Sequence, residues 1–182
     1  MRLAILAVAT LLTTTAAGAA DEDASFPFGE RDFPVEEIAA DMAYGFCPLY
    51  LAEQFPLTGN FELQQRGFGE DIRRTPDARF GELEQVTAVR PDGNVAFGGV
   101  AGKVCSVTLT GVDFDAVLDR LRSDMAFMGL AFEPDPANTG DRGFAKLASF
   151  KAPVGEQVLH VQLARVSNPA PAVVAQLFVT NP

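Results

Sequence analysis

Residues 103–130, which read KVCSVTLTGVDFDAVLDRLRSDMAFMGL, contain a strand pattern followed at once by a helix pattern. In 103–110, Cys105, Val107 and Leu109 alternate with side chains that carry hydroxyl groups. A period of two places the apolar residues on one face of a strand. We therefore expect Cys105 on the buried face of this strand.

The helix pattern begins at Asp113, a residue type that favours the N-cap position. An apolar stripe at helical spacing follows, and its members are Phe114, Val117, Leu118, Leu121, Met125 and Met128. Gly129 and Leu130 then match a left-handed C-cap with an apolar residue behind it. We predict a helix that packs on a core, because a continuous apolar stripe is typical of core packing.

Upstream of this region, a first helix is predicted from about residue 35. Pro34 stands near its first turn, where Glu36 and Glu37 are favoured by the helix dipole. Its apolar face is formed by Val35, Ile38, Met42, Phe46 and Leu49. Pro48 predicts a break or kink near Cys47, because proline lacks the backbone donor that continues a helix.

The other periodic segments are rich in β-branched and aromatic residues and predict strands. They are 80–90, 94–98, 131–133, 144–152, 157–166 and 173–180. Pro91-Asp92-Gly93 provides the turn between the first two. Because several strands follow one another without helices between them, we predict an α+β fold. It has a mainly antiparallel sheet, helices packed on one face and one closing disulfide.

The N-terminus has the three parts of a secretory signal. Arg2 supplies a positive charge, Leu3–Leu12 an apolar core and Ala17-Gly18-Ala19 a cleavage site of small residues. The apolar core is far shorter than the roughly 20 residues that span a bilayer. We predict cleavage after Ala19 or Ala20 and a periplasmic or secreted mature protein.

Three segments are therefore expected along the chain. Residues 1–20 form the signal peptide, residues 21–32 a mobile acidic lead, and residues 33–182 a single α+β domain. No later stretch is long and apolar enough to predict a membrane span.

Cys47 and Cys105 are the two cysteines of the chain. An even number of cysteines in an exported protein favours a disulfide, because oxidising compartments convert neighbouring thiols to bridges. We predict a Cys47–Cys105 bridge, which would join the end of the first helix to the buried face of a strand.

The composition argues against nucleic acid as a partner. With 24 acidic residues against 14 lysines and arginines, the formal net charge is −10. Such a charge repels phosphate backbones and anionic lipids.

Motifs for catalysis and cofactor binding are incomplete. Gly98 and Gly99 precede Lys103 as in a phosphate loop, but Val104 replaces the Ser or Thr that would hold magnesium. We interpret the glycine pair as a loop or bulge before a strand. His160 is the only histidine, so a metal site with two histidines cannot form. We assign no catalytic, metal or cofactor-binding residue.

These observations favour a non-catalytic binding or interaction protein with an unknown partner. Two alternatives stay open: a carrier of a small apolar ligand, whose cavity could be lined by some of the 15 phenylalanines, and a hydrolase that uses acidic residues alone. The candidate partner surface is one strand face, formed by Val104, Ser106, Thr108, Val158, His160 and Gln162. The alternative for this face is that the second helix covers it.

Overall fold

The computed structural model describes residues 33–141, 143, 145–167 and 170–181. The predicted signal peptide and the acidic lead lie outside the described residues. Four α-helices occur in the described part: α1 (Val35–Asp41), α2 (Cys47–Leu51), α3 (Phe61–Gln65) and α4 (Phe114–Asp124). A π-helix (Met42–Phe46) joins α1 to α2, and 3-10 helices span Met125–Met128 and Pro136–Asn138. None of the described helices is long and apolar enough to cross a membrane.

Nine strands within the described ranges form one open sheet, in which all neighbouring strands are antiparallel. In chain order they are β1 (Arg73–Asp77), β2 (Gly81–Arg90), β3 (Gly93–Val100), β4 (Val104–Thr110), β5 (Glu133–Pro134), β6 (Gly140–Asp141), β7 (Ala145–Val154), β8 (Gln157–Val166) and β9 (Ala172–Thr180). The spatial order is β1-β2-β3-β4-β9-β8-β7-β5, and β6 also pairs with β7. The predicted α+β class with a mainly antiparallel sheet is confirmed.

The first helical segment is irregular near Cys47, where a break or kink was predicted, and the irregularity is a π-helix. The N–H of Cys47 donates to the carbonyl of Met42, five residues earlier. Pro48 lies in the first turn of α2. In a regular α-helix its ring would crowd the carbonyl of Tyr44. The wider π-turn accommodates the ring, and the helical run continues to Leu51.

The second predicted helix is confirmed as α4. The side chain of Asp113 accepts hydrogen bonds from the N–H groups of Asp115 and Ala116, as an N-cap does. Gly129 closes the following 3-10 helix with φ of 67°, in the left-handed region. Among the residues of the predicted stripe, Val117, Leu118, Leu121 and Met125 are buried.

The interpretation of Gly98 and Gly99 as a loop or bulge before a strand is wrong, because β3 continues through both residues to Val100. Their φ angles of 142° and 154° lie in a region that side-chain-bearing residues rarely adopt. A Cβ atom at Gly98 would collide with the backbone oxygen of Glu84, and one at Gly99 with that of Val104. Glycine is needed here because of the backbone conformation of the strand and the close approach of its neighbours.

The predicted Cys47–Cys105 disulfide is confirmed. Both residues are fully buried, and their Cα atoms lie 5.5 Å apart. The bridge ties the start of α2 to β4.

Phe97 on β3 is the centre of an aromatic cluster in the core. The rings of Tyr50, Phe55 and Phe68 meet it edge-on, with centroids 5.8, 5.8 and 6.4 Å away. These rings come from α2 and from the segments before and after α3. Aromatic side chains therefore fill part of the space between the helical segments and the sheet.

The edge strands of the sheet are poorly suited to pairing with a strand of another molecule. β1 lies at one end and carries Arg73, Arg74 and Pro76. Charged side chains and a missing backbone donor both oppose pairing with another strand. At the other end, β5 and β6 are only two residues long. A partner is therefore better accommodated on a face of the molecule than at an edge of the sheet.

Candidate ligand-binding cleft

The six residues predicted as a partner surface lie on one face of the sheet. Phe178 on β9 is paired with Val104 of β4 on one side and with His160 of β8 on the other. Directly opposed residues of antiparallel strands share a face, so the register brings the two sets of three together. The same face also carries residues of β2 and β9 that the sequence did not indicate, among them Gln85, Gln176 and Phe178.

Part of this predicted surface is covered. Val104 is fully buried and Ser106 is 5% exposed, whereas the other four members are half-buried. The turn between β1 and β2 packs on Phe178, the residue paired with Val104: the ring centroid of Phe80 lies 5.9 Å from that of Phe178. The guanidinium of Arg79 lies 4.4 Å from the same Phe178 ring. Direct contact with a partner is open only to the half-buried members.

A second surface is a cleft of about 580 Å³ formed by α1, the π-helix, α4 and the 3-10 helix after it, which we call the helical cleft. The described residues that line it are Phe33, Glu37, Ile38, Ala40, Asp41, Tyr44, Gly45, Arg66, Arg120, Asp124 and Phe127. Two large apolar side chains in this lining are exposed, Phe33 by 50% and Phe127 by 82%. The helical cleft therefore combines exposed aromatic rings with charged groups.

Arg66 forms the first charged cluster of the helical cleft. Its guanidinium lies 2.8 Å from the carboxylate of Asp41 and 2.8 Å from that of Glu62. The same group stands 4.4 Å above the ring of Phe46. These contacts hold one positive charge between two negative charges.

Arg120 forms a second cluster of the same composition. Its side chain donates to Asp124, one helical turn further along α4, and lies 3.6 Å from Glu37 of α1. Again one guanidinium lies between two carboxylates. The ion pair of Arg120 with Glu37 connects α4 with α1 at the helical cleft.

The start of α1 is positioned by the turn between β2 and β3. Pro34 at the N-cap offers no side-chain acceptor, and the carboxylate of Asp92 accepts from the N–H of Val35 at 2.9 Å instead. Arg90 donates to the carbonyl of Phe33 at 2.7 Å. The hydrogen bond from Arg90 is also the main reason that the pKa of Asp92 is held below its usual value. This network fixes the backbone at Phe33, on one side of the helical cleft.

Tyr44, which lines the helical cleft, connects the π-helix to α4. Its hydroxyl donates to the carbonyl of Leu121 at 2.6 Å, and the residue is buried. Burial raises the pKa of its phenol well above the usual value, and the nearby charge of Asp124 raises it further. Next to it, a Cβ atom at Gly45 would lie only 3.0 Å from Oδ1 of Asp41. Glycine therefore leaves room for that carboxylate.

The sheet face holds a third group of polar side chains, around His160. Its Nε2 lies 3.0 Å from Oγ1 of Thr180, and its Nδ1 lies 3.7 Å from Oδ2 of Asp135. The order acid, imidazole, hydroxyl is that of a hydrolytic triad. However, Asp135 is buried and the imidazole lies flat against Phe178, so this arrangement is better suited to packing a segment onto the sheet. In the described part of the chain, no three His, Cys, Asp or Glu side chains lie together as metal ligands would.

The helical cleft was not predicted from the sequence. The signal that could have indicated it is Phe127, which lies off the apolar stripe of α4. A large apolar residue outside the stripe of its helix is expected to be exposed. The remaining lining residues come from distant parts of the chain and carry no common motif.

Comparison with known proteins gives no family for this chain. No protein-family model matches it, and neither a curated protein nor a solved structure matches it. Its function is therefore inferred from the chemistry of the two surfaces.

Proposed function

We propose that this chain is an exported, non-catalytic binding protein that takes its ligand into the helical cleft. The observation that carries the proposal is the pair of exposed rings, Phe33 and Phe127, in the lining of one cleft. Water contact with large apolar side chains is unfavourable, and exposed apolar groups gathered in a concave site are typical of ligand and partner sites. A ligand that covers these rings gains free energy by burying them.

The charges of the helical cleft favour binding over acid catalysis. A hydrolase that uses two acidic residues needs both carboxylates to face the substrate across a gap. Here Asp41 and Glu37 face the guanidinium groups of Arg66 and Arg120 instead. These ion pairs support a role in recognition.

The same charges distinguish the helical cleft from the cavity of an apolar carrier. Such cavities are predominantly apolar and enclose most of the ligand. Among the described residues that line the helical cleft, five of eleven are charged. This lining suits a ligand that carries charge as well as apolar groups.

The proposal includes the compartment. The disulfide is consistent with an oxidising compartment outside the cytoplasm. We place the mature protein in the periplasm or outside the cell, after cleavage behind Ala19 or Ala20. Intact-mass measurement of the envelope form tests this, with an N-terminus at Ala20 or Asp21 as the expected result and one at Met1 as the contradicting result.

The proposal also includes the arrangement of the two surfaces. We place the helices together on the sheet face that carries Phe97, Cys105 and Val107, which belong to the same buried cluster as residues of α1, α2 and α4. The predicted partner surface then lies on the opposite face, as a second contact surface that the helices leave uncovered.

Affinity capture with the mature protein, residues 21–182, tests the proposed function. Envelope extract is passed over the immobilised wild type, a cleft variant (Phe127→Ser) and a sheet-face variant (Thr108→Arg), and bound species are identified by mass spectrometry. We expect a species that the wild type and the sheet-face variant retain and the cleft variant loses. If only Thr108→Arg loses the bound species, the binding site lies on the sheet face and the proposal for the helical cleft is wrong. Chemical conversion of the bound species would overturn the non-catalytic role.

A further inference from the structure

Three residues of the helical cleft follow one another at four-residue spacing along α1 and its entry: Phe33, Glu37 and Asp41. Residues four apart on a helix lie on the same side, about 5 to 6 Å from one another. Glu37 and Asp41 therefore place two carboxylates one turn apart, next to an aromatic ring. Their side chains are 38% and 47% exposed, so both are accessible to a ligand.

The charge of the helical cleft is negative even though its ions are paired. The described lining holds three carboxylates, those of Glu37, Asp41 and Asp124, against the guanidinium groups of Arg66 and Arg120. The difference among these described residues is a net charge of −1. The whole chain, these residues included, has a formal net charge of −10, so long-range attraction favours a cationic ligand.

The exposed rings in the helical cleft favour a ligand that carries apolar or cationic groups. Phe33 and Phe127 are exposed aromatic side chains, and aromatic rings attract both apolar groups and cations. Phe127 is 82% exposed, so its ring extends well into solvent. A small molecule held inside the helical cleft would leave much of this ring uncovered. A segment of a macromolecule that lies across the cleft would cover it.

From these observations we infer that the helical cleft binds a segment of a partner protein in which a lysine or arginine stands beside an apolar or aromatic residue. This inference rests on the proposed function and names the chemistry of its partner. The cation is held by Glu37 and Asp41, and the apolar side chain lies against Phe33 and Phe127.

An array of random seven-residue peptides tests the inference, with the labelled mature protein as the probe. We expect the wild type to enrich sequences in which Lys or Arg accompanies Phe, Leu or Tyr. The affinity for the enriched peptides should fall at least about tenfold in Phe127→Ser. It should fall about three- to tenfold in the double variant Glu37→Gln/Asp41→Asn.

Matched controls use residues outside the helical cleft. Phe61→Ser removes another exposed phenylalanine, and Asp115→Asn/Asp119→Asn removes two carboxylates four residues apart on α4, both 79% exposed. Both controls should retain the enrichment. Thermal unfolding of each variant establishes that it is folded before its binding is scored.

The outcomes separate the inference from the proposed function. Enrichment of acidic or uncharged peptides that still depends on Phe127 would overturn the basic partner and keep the helical cleft as the site. Enrichment that no cleft variant changes would overturn both. Binding of basic peptides that Asp115→Asn/Asp119→Asn weakens as strongly as Glu37→Gln/Asp41→Asn would show attraction by overall charge and also overturn the inference.

Discussion

The imidazole Nδ1 of His160 lies 3.7 Å from Oδ2 of Asp135, buried and without a hydrogen-bond partner. The other ring nitrogen is within 3.0 Å of Oγ1 of Thr180, and the ring stacks on Phe178 with centroids 4.8 Å apart. Asp135 belongs to the segment between β5 and β6. Its carboxylate accepts from Asn138 at 2.7 Å. His160 and Asp135 thus form one of the contacts that pack this segment on the sheet, beside the hydrogen bond from the N–H of Asp135 to the carbonyl of Ser149.

Acid should destabilise this contact. The hydrogen bond from Asn138 holds the pKa of Asp135 below its usual value, with smaller contributions from Lys151 and His160. A carboxyl group with a lowered pKa in the folded state stabilises the protein above the unfolded pKa of about 3.9, and the contribution is lost as the pH falls through the folded pKa. We expect Asp135→Asn to lower the free energy of unfolding at pH 7 and to weaken its decline below about pH 4.

Urea denaturation between pH 2 and 7 measures this effect. The control is Asp119→Asn, which changes a carboxylate that is 79% exposed and should alter stability by less than about 0.5 kcal/mol. Identical acid dependence in Asp135→Asn and the wild type would contradict the role of Asp135.

The disulfide should contribute a large part of the stability. Cys47 and Cys105 are separated by 58 residues, and closing a loop of that length in the unfolded chain is worth about 4 kcal/mol. We expect Cys47→Ala/Cys105→Ala to lower the free energy of unfolding by about that amount, measured by urea denaturation. Both sites are buried, so each alanine replaces a cysteine within the core. Before reduction, a thiol reagent should find no reactive thiol in the unfolded wild type, and two reactive thiols would contradict the bridge.

Local patterns predicted the elements of this fold well. The alternation around Cys105 and the apolar stripe after Asp113 correspond to β4 and α4, and a turn at Pro91-Asp92-Gly93 connects β2 and β3. In these cases the spacing of the apolar residues agrees with the capping or turn residue next to them, and both indicate the same secondary structure. The disulfide was also predictable, because the chain has only two cysteines.

Features that depend on distant residues were not predictable. The position of β9 beside β4 follows from the assembly of the whole sheet, and no local pattern specifies it. Likewise, the helical cleft brings Phe33 and Asp41 next to Arg66 and to Arg120, from three separate parts of the chain. The π-helix accommodates Pro48, which a regular helix would not, and the sequence indicated only a break or kink there.

The glycine pair of β3 should be intolerant of substitution. Gly98 and Gly99 have φ angles of 142° and 154°, and an added Cβ would meet backbone atoms, which cannot move without disturbing the sheet. We expect Gly98→Ala and Gly99→Ala each to cost at least about 3 kcal/mol in urea denaturation, from strain and collision together. The control is Gly69→Ala, where the nearest atom to the added Cβ is 3.8 Å away. A cost below about 1 kcal/mol at both β3 positions would contradict the strand geometry.

The two tyrosines should ionise only at strongly alkaline pH. Burial is the main reason that the pKa of Tyr50 is raised to about 12, and the nearby charge of Glu84 raises it further. Burial also raises the pKa of Tyr44, whose hydroxyl donates to Leu121. Phenols with a raised pKa stabilise the folded state fully below the unfolded pKa of about 10. Stability should therefore decline as the pH rises above about 10.

Absorbance of the tyrosinate ion tests this directly, because the chain has two tyrosines and no tryptophan. In the folded protein neither phenol should titrate near pH 10, whereas both should do so in urea. Tyr44→Phe should leave one phenol, that of Tyr50, and should cost about 1 to 2 kcal/mol through loss of the buried hydrogen bond to Leu121. A phenol that titrates near pH 10 in the folded protein would show that the π-helix is not held to α4 by Tyr44, or that Tyr50 is not buried as described.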